Sequence, residues 1–159
     1  MALTNLQLDR VLSRHFHTRH FYRGIYDIDT LPDYFPNGHK PGFIISSTTR
    51  ETAASGHWVA CFFQKQASYF FCSFGHSPAH YSTSLDHFMA KSSKKECVFN
   101  STCFQPSDSV TCGYYTLYVA DLMCQGWAFN QILQSFSSQD LQRNDIVVQG
   151  FYRHHFHDV

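Results

Sequence analysis

Three separated residues of the chain have the side-chain types that acyl transfer at a thiol requires. His57 follows Gly56, Cys112 stands directly before Gly113, and Gln105 lies a few positions before Cys112. A thiolate attacks a carbonyl carbon, an imidazole acts first as general base and later as general acid, and an amide N–H stabilises the oxyanion. The spacing therefore predicts a nucleophile at Cys112, a base at His57 and an oxyanion donor at Gln105.

Residues 112 to 124 carry apolar side chains on nearly every helical face. This pattern predicts a helix that is buried all round, with Cys112 at its start. The positive end of a helix dipole and a neighbouring imidazolium both lower the pKa of a thiol. We therefore expect Cys112 and His57 to form an ion pair, with Asp108 or Ser109 as the N-cap of the helix.

Three further residues are expected to shape the substrate-binding site. Trp58, next to the base, could shield the chemistry from water, and Gly56 leads the base into a strand. Gly113 leaves backbone N–H groups accessible to an oxyanion.

The length and composition of the chain predict one folded domain spanning residues 1–159. The chain has 159 residues, of which 43% are hydrophobic and 17% aromatic, so a sizeable core can form and disorder is excluded. Twelve basic and twelve acidic residues give a formal net charge of zero. No global field therefore favours nucleic acid, a membrane surface or acidic substrates.

The six cysteines form no C-x-x-C pair, and the N-terminus lacks a basic region followed by an apolar run. We therefore expect neither a zinc ribbon nor secretion, and most thiols are expected to be reduced. No apolar run approaches the roughly 18 to 20 residues that a membrane span needs.

Local patterns predict the elements that hold these residues. Thr4 is expected to cap a first helix whose Leu8, Val11, Leu12 and His15 share one face. A long surface loop is expected over 29–42, and a polar, basic connector over 91–95. Strands are expected at 43–45, 58–63, 69–71 and around 98–99, with further helices at 82–89 and near 129–136.

The joint order of these motifs resembles the adenovirus protease (adenain) family and, more distantly, the Ulp1-like proteases that process ubiquitin-like modifiers. A single cysteine at a helix start is more often structural, so the combination carries the resemblance. The matching segments are Phe21 to Asp27, Arg50-Glu51-Thr52 before Gly56-His57-Trp58, Ser73-Phe74-Gly75, Gln105 and Cys112-Gly113. The resemblance implies an α+β, papain-like fold, with a central, mostly antiparallel sheet packed on the buried helix that carries the nucleophile.

Carried over by residue, the resemblance makes Cys112 the nucleophile, His57 the base, and Gln105 with the Cys112 N–H the oxyanion hole. The third catalytic position falls on Cys72, where the family has Asp or Glu. A neutral thiol stabilises an imidazolium poorly. Three explanations stay open: a two-residue enzyme, replacement of the missing acid by another such as Asp86, or a weakened site.

The resemblance also implies a function. It implies a viral or virus-like endopeptidase that cleaves capsid or core precursors at Gly-containing sites, in the virion and in the host nucleus or cytoplasm. No cofactor is required, although a peptide or DNA activator is implied by the family. The neutral charge argues against strong DNA stimulation, while Cys97 or Cys103 could accept a peptide thiol. We expect a monomer that does not bind membranes.

Three rival functions remain. The first is a deubiquitinase or deSUMOylase, and the second is a protease-like module that binds without cleaving, suggested by Cys72. The third is a metal-binding protein, suggested by His15-x-His17-x-x-His20 and His154-His155-x-His157. We expect no metal site, because paired cysteines or acidic ligands at suitable spacing are absent from the sequence.

Overall fold

The computed structural model describes residues 1–35, 40–49, 56–93 and 96–156. Parts of the expected loop (36–39), the Arg50-Glu51-Thr52 motif, Lys94-Lys95 of the connector and His157 lie outside the described residues. The helices are α1 (Asn5–Arg14), α2 (Pro78–Tyr81), α3 (Thr83–Ser92), α4 (Cys112–Cys124), α5 (Phe129–Gln134) and α6 (Leu141–His155). The strands are β1 (Tyr22–Tyr26), β2 (Gly42–Ser47), β3 (Trp58–Phe63), β4 (Ser68–Phe71) and β5 (Cys97–Phe99).

The five strands form one mixed sheet in the order β1-β2-β3-β4-β5. The three central strands pair antiparallel, as the sequence predicts. Both edge strands pair parallel to their neighbours, β1 with β2 and β5 with β4. A parallel neighbour needs a longer connection than a hairpin, and the segment holding α2 and α3 supplies it between β4 and β5. The predicted α+β class is confirmed.

The sheet is buried on both faces, and this explains its nearly continuous apolar strands. In β3, Ala60 and Phe62 pack in one cluster with residues of α1, α4, α5 and α6. Val59, Cys61 and Phe63 alternate with them and pack in a second cluster with residues of α3. The sheet therefore lies between two helical layers.

Helix α4 has the predicted bounds and is almost wholly buried. Its side chains fill the larger cluster from Tyr115 to Met123. The predicted N-cap is wrong: the cap residue is Thr111, and it makes no capping hydrogen bond with its side chain. The Thr111 hydroxyl donates instead to Asp145 Oδ1 at 2.8 Å, so a tertiary contact with α6 replaces the local cap.

The outer helices confirm most of the predicted periodicity. Thr4 caps α1 through a capping box with Gln7, and His15 ends this helix as a buried residue. Helix α3 begins after Ser82 but continues to Ser92, so the expected connector begins later than its composition suggests. The segment after Asp140 is the helix α6, which reaches His155.

Candidate active site

His57 lies directly before β3, where its carbonyl oxygen accepts a hydrogen bond from the Thr48 N–H at 2.9 Å. Gly56 leads into this position under tight steric constraint. A Cβ atom on Gly56 would lie 2.6 Å from the Ser47 hydroxyl oxygen. A larger residue would displace the Ser47 hydroxyl, so glycine lets the chain pass close to β2 and places His57 at the end of the sheet.

Cys112 is the first residue of α4, and its side chain is 7% exposed. Its Sγ accepts a hydrogen bond from the Trp58 N–H at 3.4 Å, so helix α4 and strand β3 meet at the thiol. Burial raises the pKa of the Cys112 thiol, and backbone N–H groups of Trp58 and Gly113 offset this in part.

The His57 ring makes its polar contact with Cys72, the residue at the expected acid position. Cys72 Sγ lies 3.4 Å from His57 Nε2 and 2.9 Å from the Tyr81 hydroxyl oxygen. The Asn100 side chain fixes the Cys72 main chain by accepting from its N–H at 3.1 Å and donating to its carbonyl at 2.6 Å. The position is therefore rigid and directed at the base, although its side chain is a thiol.

The turn after Cys72 directs backbone N–H groups toward the Cys72 sulfur. Backbone N–H groups of Phe74, Gly75 and His76 act to lower the pKa of the Cys72 thiol, but burial outweighs them and the pKa is raised. Gly75 has a φ of 79°, and a Cβ there would lie 2.7 Å from the Thr102 carbonyl carbon. This conformation explains why glycine closes the segment.

The environment of His57 favours its neutral form. Burial, and then the charge of His76, lower the pKa of His57 to about 4. Its ring stacks on Phe74 with a centroid separation of 4.7 Å. Among the described residues, no carboxylate is recorded in hydrogen bond with His57 to counter the desolvation. The raised pKa of the Cys112 thiol acts in the same direction. Both shifts favour the uncharged forms of the two groups, and the expected ion pair stays a prediction.

Asp86 does not replace the missing acid. It lies exposed in the first turn of α3, near Cys97, whose pKa is raised by burial and then by the charge of Asp86. The Asp86 carboxylate therefore acts on Cys97, and it is not among the groups that shift the pKa of His57.

Gln105 is buried and held at both ends of its amide. Its Oε1 accepts from the Ser73 hydroxyl, which fixes the orientation of the group. Its Nε2 donates to the Ser109 carbonyl oxygen at 2.9 Å and to the Ser109 hydroxyl oxygen at 3.2 Å. The amide therefore lies beside the start of α4, with both N–H donors engaged by Ser109.

The N-terminal segment forms one wall of the site, which sequence reasoning did not predict. Trp58 Nε1 donates to the Leu3 carbonyl oxygen at 3.1 Å. A Cβ on Gly113 would lie 3.0 Å from the Leu3 Cβ, so glycine leaves room for this segment. Nothing in the local pattern of residues 1–5 indicates this contact.

One open cleft of about 950 Å³ joins these parts. The candidate nucleophile, base, oxyanion donor and shielding residue all line it, with Gly56 and the N-terminal segment: Cys112, His57, Gln105, Trp58, Gly56 and Ala2 to Asn5. In the described part of the chain, the cleft holds no cluster of three metal-ligating side chains. The structure thus brings together residues that lie far apart in the sequence. Tyr81, which contacts Cys72, had no sequence signal.

No protein-family model matches the chain, and no curated protein matches its sequence. Solved structures do match. The chain superposes on the ASFV pS273R protease with a TM-score of 0.66 for a selenomethionine crystal structure and 0.60 for a second structure. Each comparison covers 98% of this chain and 67% of the ASFV chain, at 15% sequence identity. The chain therefore has an α+β fold shared with a viral cysteine protease.

Proposed function

We propose that the chain is a viral cysteine endopeptidase in which Cys112 is the nucleophile and His57 the general base. One observation carries the proposal: Cys112 and His57 line the same cleft, and the His57 ring directs Nε2 at Cys72. The other ring nitrogen, Nδ1, is then the one left to take the thiol proton. The fold shared with the ASFV protease supports the same assignment.

The reaction begins from the neutral pair. As Cys112 Sγ bonds to the substrate carbonyl carbon, its proton passes to His57. The Cys112 N–H and Gln105 Nε2 donate to the oxyanion, for which Gln105 gives up its longer bond to Ser109. Collapse breaks the peptide C–N bond, and His57 protonates the leaving amine. A water molecule then hydrolyses the thioester with His57 again as base.

Cys72 acts in this scheme as a positioning residue. Its sulfur holds the ring plane through Nε2 but supplies no negative charge to stabilise the imidazolium that forms. The proposal is therefore a two-residue enzyme of adenain type whose activity is reduced relative to one with a carboxylate at position 72.

The proposed substrates are polypeptides with Gly-containing cleavage sites, in particular capsid or core precursors. The peptidase would cleave them during virion maturation, in the virion and in the host nucleus or cytoplasm. The resemblance of the site motifs to adenain supports this choice.

No metal or other cofactor is required for the reaction. A peptide activator could pair with Cys103, which is exposed, whereas the zero net charge argues against strong DNA activation. We propose a monomer. In the described residues, no helix is long and apolar enough to cross a membrane.

A peptide library tests the proposal. Peptides rich in Gly-Gly and Gly-x sites are incubated with the reduced protein and, in parallel, with Cys112→Ala. Cleavage after glycine by the wild-type chain alone is the expected result. Equal cleavage by both proteins would refute the role of Cys112.

A second candidate function is a non-catalytic module that binds Gly-rich segments in the cleft. The observation that favours it is the contact of His57 Nε2 with the Cys72 thiol, where a carboxylate is expected, and burial lowers the pKa of His57 as well. The same library separates the two: a binding module retains peptides in a pull-down without cleaving them, even after Cys72→Asp supplies the acid.

A further inference from the structure

Two histidines and one aspartate converge on the side of α4 remote from the cleft. His15 Nε2 and His17 Nδ1 each lie 3.0 Å from Asp121 Oδ1. The three ligand atoms lie within 4.8 Å of one another. His15 and His17 belong to the turn that follows α1, and Asp121 lies in α4. The cluster therefore joins the first helix to the helix that begins at Cys112.

Asp121 is a fully buried acid on an otherwise apolar helix. A buried carboxylate is costly unless charge and hydrogen bonds compensate it. Gln125 Nε2 donates to Oδ2 at 2.7 Å, so one oxygen is satisfied within the helix. The other oxygen, Oδ1, faces both imidazoles. In the described part of the chain, its recorded ion-pair partners are these two histidines.

His15 Nε2 shows that hydrogen bonding alone does not account for the cluster. His15 is 6% exposed, and its Nε2 has no hydrogen-bond partner among the described residues although Asp121 Oδ1 is 3.0 Å away. Its ring is thus close to the oxygen but not aimed at it. His17 Nδ1, by contrast, forms a hydrogen bond with the same oxygen at 3.0 Å. The misaligned ring of His15 is the feature that fits a shared ion, because a ligand points at the ion and not at the neighbouring ligand.

We propose that His15, His17 and Asp121 form a binding site for a divalent transition-metal ion of the zinc class. Two imidazoles and one carboxylate are ligands that Zn²⁺ accepts, with water in the fourth position. Zinc–ligand bonds of about 2.0 to 2.2 Å place the ligand atoms about 3.3 Å apart. The two oxygen–nitrogen separations are already near this value.

His17 supplies the remaining movement and the entry path. Its side chain is 28% exposed, whereas those of His15 and Asp121 are buried. The two nitrogens lie within 4.8 Å of each other, so rotation of this rim histidine toward His15 has to shorten that separation by at most about 1.5 Å. Sequence inspection grouped His15 and His17 with His20, but the structure supplies the third ligand from α4.

The site is separate from the candidate active site. Asp121 lies nine residues after Cys112 on one helix, which corresponds to about 13 Å along its axis. The bound ion would therefore tie the end of α1 to α4 and stabilise the fold without touching substrate. The proposal does not depend on the peptidase function.

Titration of the chelator-treated, reduced full-length protein with ZnCl₂ and with CoCl₂ tests the site. The expected result is one ion per chain, a zinc-dependent rise in Tm, and cobalt d–d absorption without a thiolate charge-transfer band. His17→Ala should weaken zinc binding by more than about tenfold, since loss of even a supporting residue costs a site that much. His20→Ala, an exposed histidine of the same segment, is the matched control and should bind normally.

Cys112→Ala should bind zinc as the wild-type chain does, which separates this site from the catalytic thiol. Absence of saturable zinc binding would overturn the proposal. Zinc binding that is unchanged by His17→Ala would overturn the proposal, because His17 would not be a ligand. A cobalt spectrum dominated by thiolate bands would overturn it equally, because the ion would then be bound by cysteines.

Discussion

At the scale of single residues, the candidate site depends on what faces His57. Nε2 contacts the Cys72 sulfur, and the nearest aromatic support is Phe74. Sequence patterns were sufficient to propose the candidate nucleophile, base and amide, because residue type limits what each can do. They could not predict Tyr81 or Ser109 as partners, since neither side chain belongs to a local pattern and each contact depends on tertiary packing.

Replacing the thiol at position 72 by a carboxylate should raise the proposed peptidase activity. In Cys72→Asp, a negative charge next to Nε2 should raise the pKa of His57 by about one to three units. Backbone N–H groups of the following turn and the Tyr81 hydroxyl are placed to stabilise this carboxylate. We expect kcat/KM at pH 7 to rise about tenfold or more, measured on one cleavable peptide.

Cys72→Asn is the matched control, because it has the same shape as the aspartate without the charge. It should give no gain. An equal gain from both variants would show that removal of the thiol, and not the charge, matters.

The pH dependence of the wild-type chain should report the neutral state of the base. Because burial lowers the pKa of His57 to about 4, its imidazole loses its proton at a pH well below the ordinary pKa of 6.5. It can then accept the thiol proton throughout the weakly acidic range. We expect kcat/KM to decrease only as the pH falls toward 4. A measured acid limb between pH 6 and 7 would contradict the assigned environment of His57.

At the scale of elements, α6 holds the start of the nucleophile helix. Asp145 Oδ1 accepts from the Thr111 hydroxyl at 2.8 Å and from the Tyr115 hydroxyl at 2.7 Å. Asp145→Ala should remove both bonds and leave the Tyr115 hydroxyl with the Phe104 carbonyl oxygen, at 3.1 Å, as its acceptor. We expect a loss of about 1 to 3 kcal/mol in the free energy of unfolding, measured by urea denaturation.

Gln142→Ala, an exposed substitution on the same helix, serves as the control for this effect and should be nearly neutral. If Asp145→Ala unfolds at the same urea concentration as the control, α6 does not stabilise α4 through this carboxylate.

The N-terminal segment should contribute to substrate binding through Trp58. Trp58→Phe keeps an aromatic ring, although a smaller one, and removes the hydrogen bond from Nε1 to the Leu3 carbonyl oxygen. A net hydrogen bond of about 0.5 to 1.5 kcal/mol corresponds to a two- to tenfold rise in KM if this wall of the cleft loosens. The half-exposed Trp127, changed to Phe, should leave KM unaltered. A change in kcat alone would place Trp58 in the chemistry instead.

Helices and central strands were predictable because their signals are local. Residues 112–124 carry apolar side chains on every face, and the alternation in β3 follows from two buried sheet faces. The true cap at Thr111 was not predictable, because Asp145 lies on a distant helix. The parallel edge pairing of β1 and β5 was not predictable either, since it depends on strand order.

At the scale of the whole molecule, the two apolar clusters on either side of the sheet fix the relation between separated segments. The larger one holds α4 against β2, β3 and β4, and the smaller one holds α3 against the opposite face. Cys112 therefore contacts Trp58 at the start of β3, and Cys72, directly after β4, contacts the adjacent His57. The candidate site is thus a product of the complete sheet, and the likeness to the ASFV protease extends over nearly all of this chain.

The most direct measurement is covalent labelling with a peptide whose scissile bond after glycine is replaced by a vinyl sulfone, read by intact mass and peptide mapping. The account predicts one adduct, on Cys112, and its loss in His57→Ala. Simple accessibility would favour Cys103, which is exposed, over Cys112, which is buried. Labelling of Cys103 in preference to Cys112, or a Cys112 adduct that forms equally fast without His57, would contradict the proposed catalytic pair.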